Sequence, residues 1–519
     1  MSAKLSFFFG AGAEVGYGMP AGGRFALDIF RRSMDDERAQ FQRMRAGINP
    51  RTVYATDWLP PGYETKRVAV FGSPDRASLF EASLEYRRTL VRDGLNRYDE
   101  LCREVLRRAG VDERELSDLF EQVFGRPIGA ETYAQEIELN PSLGANGSEL
   151  FRSAYFSAGL DVLGKHPQAV GLRNLLRGTL ELYVGSLGQQ LVSSLNDQIF
   201  QKAPNIPIFD DLAGIFRLEY GQAGLAAYRL VLEETRAPVS LSEAVEVAFE
   251  SLAFHVIETI MAQCLDYQGL VDGNFRYLYA PREWAKFCKI STFLLSVRSY
   301  IAELEAKALS GLDGATGYYH DILASLAQGR IRDVQIGTAN YTAIFDRVME
   351  DGGSGDVRAR FLNGSVRDFY DPYRNMIVAQ DGAALDRAGR FLVPFMFTQS
   401  GIKPLTSVEM SRRYVDYYDA MCASDAVVVL GYGFNGDDGH INGMFRAVTE
   451  EAGKPLFVCL YAPGGPAGVD LAREGRDLAR KIRLDRPERL TVLPVGNDRR
   501  AASGEVWVDE IAARMATTP

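Results

Sequence analysis

The chain contains 519 residues, of which 46% are hydrophobic and 24% charged, and its formal net charge is −10. These values are typical of a globular protein of roughly two to four structural units, and they exclude a collagen-like or disordered chain. No apolar run reaches the length of a membrane-spanning helix. The N-terminal segment MSAKLSFFFGAG is too short and too glycine-rich for a signal peptide.

The five cysteines are isolated, and none forms a Cys-x-x-Cys pair. This spacing argues against a zinc ribbon and against a disulfide framework, and it favours a reducing compartment. The negative net charge, with no long Lys/Arg block, argues against direct nucleic-acid binding. We therefore expect a cytoplasmic protein without a metal, a membrane span or a nucleic-acid partner.

The predicted elements change in type along the chain. Residues 5–9 (LSFFF) form a short apolar run that stops at glycine, as in a buried parallel strand, and residues 21–30 follow as a helix. From about residue 75 to 330 apolar residues recur every three or four positions, which predicts a helical body. After residue 330 short apolar strands return, and the candidates are residues 333–337, 390–397, 426–430, 456–460 and 490–494.

Helical segments at residues 408–423, 439–451 and 469–482 separate the last four of these strands. Alternation of strand and helix predicts a parallel, doubly wound α/β sheet. The first strand belongs to the same sheet, because one isolated strand cannot bury both of its faces. We therefore predict a Rossmann-like domain formed by residues 1–45 and 331–519, interrupted by a mostly α-helical insertion at residues 46–330.

Glycine-rich turns follow several of these strands. Gly10-Ala11-Gly12 lies between the first strand and a helix, where backbone N–H groups can approach a phosphate. The alternative is an ordinary glycine turn, since the spacing is not the dinucleotide-binding fingerprint. Asn340, in Thr338-Ala339-Asn340, is positioned either to bind ribose hydroxyls and water or to fix its own turn.

Two further turns complete the pattern. Phe361-Leu-Asn-Gly-Ser365 is a third strand-end glycine turn, and Gly431-Tyr-Gly-Phe434 follows residues 426–430. The next segment carries Asp437, Asp438 and His440 at a helix start, where an Asp most often serves as the N-cap. Because four polar strand ends are expected at one edge of the sheet, coincidence becomes a weaker explanation.

This ordered set of motifs resembles the sirtuin family. The resemblance covers about residues 1–30 and 331–500, and the segment GYGFNGDDGHIN (431–442) is similar to the bacterial sirtuin-like NAD-consuming proteins of antiphage defence. It implies a sheet of sirtuin type and a set of cofactor-binding residues. Those residues are Gly10, Ala11, Gly12, Met19, Pro20, Thr338, Gly364, Ser365, Gly431, Tyr432, Gly433 and Phe434.

The chain departs from the family pattern at several positions. It lacks a zinc ribbon, which disfavours protein deacetylation, and Ala339 and Thr342 replace the family's Gln and a frequent Asp. Asn363 occupies the position of the catalytic histidine, and a neutral amide cannot serve as a general base near pH 7. The candidate catalytic residues are therefore Asn340, Asn363 and His440, the last being the nearest motif residue with a useful pKa.

The resemblance implies an NAD+ hydrolase that releases nicotinamide and ADP-ribose, with NAD as substrate and no metal. It further implies an effector of antiphage defence that depletes NAD, gated by homo-oligomerisation or by a phage-sensing or ATPase partner. The rival hypothesis is a catalytically silent module that binds NAD or ADP-ribose and regulates a partner. An ADP-ribosyltransferase acting on protein or nucleic acid is a third hypothesis.

Overall fold

The structure, a computed structural model, describes residues 2–20, 22–133, 149–187, 225–241, 244–265, 267–396 and 407–517. Its contacts divide the chain into two compact units. The sheet unit comprises Met1–Gly22, Ser33–Val70 and Gln268–Pro519, and the helical unit comprises Gly23–Arg32 and Phe71–Tyr267. Residues 46–70 and 268–330, which we assigned to the insertion, thus cluster with the sheet unit.

The elements have the following bounds in the described residues. The strands are β1 (Ala3–Phe9), β2 (Ile331–Thr338), β3 (Ala359–Phe361), β4 (Gly364–Asp371), β5 (Met376–Ala379), β6 (Val393–Met396), β7 (Ala426–Leu430), β8 (Leu456–Tyr461) and β9 (Leu490–Val495). The helices up to the end of the helical unit are α1 (Gly22–Arg31), α2 (Asp35–Ala46), α3 (Ser73–Asn96), α4 (Tyr98–Ala109), α5 (Glu113–Phe124), α6 (Ala154–Lys165), α7 (Val170–Leu187), α8 (Leu225–Glu233) and α9 (Val245–Cys264). The later helices are α10 (Tyr267–Phe275), α11 (Trp284–Ser310), α12 (Tyr318–Ala327), α13 (Ile344–Asp351), α14 (Val408–Cys422), α15 (Gly439–Glu450), α16 (Leu471–Ile482) and α17 (Trp507–Thr517).

Among the described residues, six parallel strands form one sheet in the order β3-β2-β1-β7-β8-β9. Counted along the sheet, this is the strand order of a doubly wound, Rossmann-like α/β fold. The predicted strands at residues 5–9, 333–337, 426–430, 456–460 and 490–494 all fall in this sheet, so that part of the prediction is confirmed.

The prediction for residues 390–397 is wrong in its sheet assignment. Strand β6 is four residues long and joins a separate antiparallel sheet, of order β5-β4-β6. All four of its residues are buried, so its sequence has the continuous apolar pattern of a parallel strand. A continuous apolar run indicates that both faces of a strand are buried, but it does not indicate whether the neighbouring strands are parallel or antiparallel. The sheet assignment was wrong for this reason.

The β1 sequence explains why this strand lies at the centre of the sheet. Side chains alternate between the two faces of a strand, so an all-apolar strand must be covered on both faces. Phe7 and Phe9 pack in one core with residues of α12, α13 and α17, and the Phe7 ring meets Trp507 edge-on at 5.8 Å. Phe8 packs in the other core with residues of α14, α15 and α16, and its ring centroid lies 5.1 Å from that of Phe445.

The helical unit is held together partly by a buried ion-pair cluster. Arg31 of α1 donates to Glu258 Oε1 of α9 (2.7 Å), and its guanidinium also donates to the Val231 carbonyl of α8. His255 Nδ1 lies 2.9 Å from the other Glu258 oxygen. Burial raises the pKa of Glu258, but the hydrogen bonds from His255 and Arg31 outweigh it and lower that pKa to about 2.

In the described part of the chain, no helix has the length and hydropathy required to cross a bilayer.

Candidate functional site

The carboxyl ends of four parallel strands lie in register at one edge of the sheet. Phe9 pairs with Thr338 on one side and with Leu430 on the other, and Thr338 in turn pairs with Phe361. Each of these residues ends its strand, and each is followed by one of the polar turns that the sequence predicted. β1 also separates the two halves of the sheet, and ligands of such folds bind outside the carboxyl ends at this reversal of strand order.

The turns after β1 and β7 pack backbone against backbone. Gly12 N donates to Gly431 O at 2.9 Å, and Gly10 N donates to Leu430 O at 3.0 Å. A Cβ on Gly10 would lie 2.5 Å from Gly431 O. Gly431 has a φ of +68°, and a Cβ there would lie 2.2 Å from Ala13 N. These glycines are therefore required for the close approach of the two turns, a packing role that the sequence argument did not include.

The same contacts occupy several backbone donors. Ala13 N donates to Gly10 O at 3.0 Å, so the N–H groups of Gly10, Gly12 and Ala13 all have carbonyl partners within the paired turns. Ala11 and Gly12 are exposed, whereas Gly10 and Ala13 are buried. A phosphate approaching this turn would meet the exposed surface of Ala11 and Gly12.

Asn340 is a buried residue whose side chain reaches the β1 turn. Its Nδ2 donates to Gly10 O at 3.1 Å and to the Tyr319 hydroxyl at 3.4 Å. Because Gly10 O is only an acceptor, the amide nitrogen must face it, and the amide oxygen of Asn340 lies on the opposite side. The side chain thus bonds across two strand ends, not to its own turn; the backbone N–H of Asn340 is satisfied by Thr338 Oγ1 at 2.9 Å.

Glu14 is a buried carboxyl group beside Asn340 that the sequence analysis missed. The Tyr319 hydroxyl donates to its Oε1 at 3.0 Å, and the Thr342 hydroxyl donates to its Oε2 at 2.8 Å. Burial raises the pKa of Glu14 to about 7, although the hydrogen bonds from Thr342 and Tyr319 oppose the shift. The available signal was the first carboxylate of the chain, placed two residues after Gly12.

The turn that contains Asn363 lies beside the turn after β2. Leu362 N donates to Thr338 O at 2.9 Å, and Val366 N donates to Tyr341 O at 3.0 Å. Asn363 itself is buried. These backbone contacts bring the Asn363 segment next to the Asn340 segment, as the sequence predicted for neighbouring strand ends.

Gly364 and Ser365 are used in the connection between the two sheets. Gly364 begins β4 with a φ of +81°, and a Cβ there would lie 2.0 Å from Phe395 O. Ser365 Oγ donates to Asp368 at 3.0 Å, and Arg413 binds both Asp368 oxygens at 2.8 Å. The hydrogen bonds to Asp368 raise the pKa of Arg413. The hydroxyl of Ser365 is therefore part of a buried ion-pair network.

His440 lies in the first turn of α15. Its ring meets the Tyr414 ring at a centroid distance of 5.4 Å, and the Tyr414 hydroxyl donates to Leu362 O at 2.8 Å. Tyr414 thus connects the start of α15 with the residue that precedes Asn363.

The remaining predicted cofactor residues divide between core and surface. Phe434 is buried, and its ring packs against those of Tyr432 (5.0 Å) and Phe445 (5.9 Å). Met19 and Pro20 are half-buried, and Met19 packs on the core that contains Phe9. Phe434 is therefore a core residue whose backbone, rather than its ring, is placed at the strand end.

A cleft of about 620 Å³ opens beside this edge, between the ends of β7 and β8 and helix α16. Gly431, Tyr432, Gly433 and Phe434, all four predicted from the sequence, line one side of it. The opposite side carries the ionic side chains Glu474, Asp477, Arg480 and Lys481. Lys481 Nζ approaches Gly433 O at 3.5 Å, and Arg480 pairs with Asp477.

Within the described residues, no group of three or more His, Cys, Asp or Glu side chains is arranged to hold a metal ion. Comparison with known proteins gave no match to a family model, a curated protein or a solved structure.

Proposed function

We propose that the chain binds NAD+ at this edge of the sheet and cleaves the bond between nicotinamide and ribose. The observation that carries the proposal is the register of the four strand ends, which places the Asn340 turn beside the paired glycine turns and the Asn363 turn beside the Asn340 turn. The Rossmann-like strand order and the order of the motifs along the chain support the same ligand.

The adjoining cleft suits the adenosine half of the dinucleotide. Its volume is within the usual range of small-molecule sites, roughly 300–1,000 Å³. Carboxylates such as Glu474 and Asp477 are suitable acceptors for ribose hydroxyls, and Lys481 is a suitable partner for a phosphate. In this arrangement the adenosine lies on the β7–β8 side and the pyrophosphate crosses the glycine turns toward Asn340.

The proposed chemistry requires little acid–base assistance. The glycosidic bond breaks with its electron pair leaving on nicotinamide, through an oxocarbenium-like state as in glycoside cleavage, and a water adds to C1′ and loses a proton. The amide oxygen of Asn340 would orient that water or a ribose hydroxyl, and Asn363 would bind the ribose. This division accommodates an asparagine at the position where sirtuins have their catalytic histidine.

The second candidate function is a silent module that binds NAD or ADP-ribose, and Asn363 is the observation that favours it. If His440 has taken over as the base, His440→Ala should abolish turnover. In a silent module, wild-type protein should bind without cleaving, and Asn363→His should restore slow cleavage. An ADP-ribosyltransferase would consume NAD only when an acceptor is supplied.

The test is release of nicotinamide from NAD+ by the purified protein, measured together with NAD+ and ADP-ribose affinity by calorimetry. Cleavage by the wild type, abolished in Asn340→Ala, supports the hydrolase. Binding without cleavage supports the silent module, and absence of both would overturn the proposal. The assay should be repeated with candidate activators, because the cytoplasmic antiphage role, the homo-oligomer and the sensing or ATPase partner rest on the resemblance alone.

A further inference from the structure

The orientation of Asn340 depends on a hydrogen-bond chain through Tyr319 that ends at Glu14, a group to which the Asn340 side chain also bonds directly. The Tyr319 hydroxyl has one proton, which it donates to Glu14 Oε1 at 3.0 Å. Its lone pairs then face Asn340 Nδ2, which donates to it at 3.4 Å. With the bond from Nδ2 to Gly10 O, this arrangement fixes which side of the Asn340 amide faces the β1 turn.

The group that ends this chain is costly to bury. Glu14 is only 3% exposed, its hydrogen-bond partners Tyr319, Thr342 and Asn340 are neutral, and the nearby Glu305 carboxylate raises the pKa of Glu14 further. A buried carboxylate without a cationic partner destabilises a fold relative to an apolar residue of similar volume. The hydrogen bonds of this carboxyl group to Tyr319 and Thr342 connect it to the strand end that carries Asn340.

Tyr319 is itself held rigidly. It is fully buried, its backbone N–H donates to the Tyr17 hydroxyl at 3.0 Å, and the two rings stack at a centroid distance of 5.1 Å. Because packing fixes the Tyr319 ring, its hydroxyl holds Glu14 and Asn340 in fixed positions relative to each other.

We propose that Glu14 and Tyr319 are positioning residues of this site: Glu14 accepts the hydrogen bond donated by the Tyr319 hydroxyl, and Tyr319 thereby holds the Asn340 amide with its oxygen turned toward the ligand. This inference rests on the proposed function, because it assigns the amide oxygen of Asn340 to the bound nucleotide or water.

The chain offers a matched pair of variants. Tyr319→Phe and Thr342→Val each remove one buried hydroxyl that donates to Glu14, but only Tyr319 is linked to Asn340. We expect kcat for NAD+ cleavage to fall at least about tenfold in Tyr319→Phe and less than about threefold in Thr342→Val. KM should change less than about twofold in both, since the glycine turns and the cleft are unaltered.

A second readout does not need activity. In protein labelled with [15N]asparagine, the side-chain amide signals of Asn340 are assigned by their loss in Asn340→Asp. These signals should move in Tyr319→Phe and stay in place in Thr342→Val. If Tyr319→Phe does not fold, Glu14→Met, which removes the acceptor of the Tyr319 hydroxyl, replaces it, with the same expected loss of kcat and the same movement of the amide signals.

The two readouts separate the possible failures. A wild type that neither binds nor cleaves NAD+ overturns the proposed function, whereas the amide signals still decide whether Glu14 and Tyr319 position Asn340. Equal loss of kcat in Tyr319→Phe and Thr342→Val, or unmoved Asn340 signals in Tyr319→Phe, would refute the positioning role.

Discussion

The carboxyl edge of the sheet differs sharply on the two sides of β1. On the β2 side, Glu14, Asn340 and Thr342 are at most 6% exposed and are joined by hydrogen bonds. On the β7 side the edge opens into a cleft of about 620 Å³ with exposed ionic side chains such as Lys481. Under the proposed function, the closed side would position a reactive group and the open side would admit the ligand.

Gly431 lies at the boundary between the two sides, and its substitution should have the largest effect. In Gly431→Ala the new Cβ meets Ala13 N at a φ of +68°, so we expect a loss of about 3 kcal/mol or more in the free energy of unfolding. Urea unfolding followed by tryptophan fluorescence measures it, because Trp58, Trp284 and Trp507 all belong to the sheet unit. Gly436→Ala is the control: nothing lies within 4 Å of its Cβ, and the change should stay within about 0.5 kcal/mol. Equal losses in both variants would contradict the packing role.

The closed side should reveal itself in the pH dependence of stability. The pKa of Glu14 is raised by burial from 4.5 to about 7, so the folded state favours the protonated form. Its stabilising contribution is complete below pH 4.5 and is lost as the pH rises through 7. The loss amounts to about 3 kcal/mol at 1.36 kcal/mol per pKa unit.

Glu14→Gln cannot ionise and should lack this component. The measurement is the difference in unfolding free energy between wild type and Glu14→Gln at pH 4 and at pH 8, since the other titrating groups cancel in the difference. Relative to the variant, the wild type should lose stability as the pH rises. A difference that does not change with pH would show that Glu14 is solvated in the native state.

In the proposed function, Asn340 is the residue of the closed side that contacts the ligand. Asn340→Ala should lower kcat for NAD+ cleavage by roughly a hundredfold, the usual cost of removing a positioned polar group, with a much smaller change in affinity. Asn442→Ala is a suitable control, because Asn442 is also a buried asparagine, bonded to Asn435 O, on the α15 side. Wild-type turnover in Asn340→Ala would show that the segment after β2 is an ordinary turn without a role in cleavage.

The sequence predicted the parts of this edge that follow from local pattern. Apolar runs that stop at polar, glycine-rich turns identified β1, β2, β7, β8 and β9, and the parallel arrangement then requires their carboxyl ends to meet. That reasoning places the Asn340 and Gly10 turns at the same edge of the sheet. It does not make them neighbours, and the hydrogen bond between Asn340 Nδ2 and Gly10 O depends on the pairing of β1 with β2.

The features of the site that the sequence did not predict depend on contacts between residues far apart in the chain. Glu14 and Tyr319 are separated by 305 positions, and a tyrosine near the start of a helix carries no local sign of its partner. Likewise, no pattern around Gly12 reveals that Gly431 fills the space beside it. Strand β6 was assigned to the wrong sheet for a related reason: a strand buried on both faces has the same apolar pattern whether its neighbours are parallel or antiparallel.

The smallest effect is expected on the open side. Lys481 is exposed, and its Nζ approaches the Gly433 carbonyl at 3.5 Å. Solvent and salt would therefore screen its attraction for a phosphate bound in the cleft. Lys481→Ala should weaken NAD+ binding by roughly threefold at low ionic strength and by less at 0.5 M salt, where screening is nearly complete over these distances. Arg476→Ala removes one positive charge from the same helix but does not line the cleft, and it should leave the affinity unchanged. A salt-independent loss in Lys481→Ala would indicate a direct, desolvated contact and a tighter cleft than the structure shows. Equal losses of affinity in both variants would mean that α16 acts only through its overall positive charge. The ligand would then have to bind outside the cleft, at another part of the carboxyl edge of the sheet.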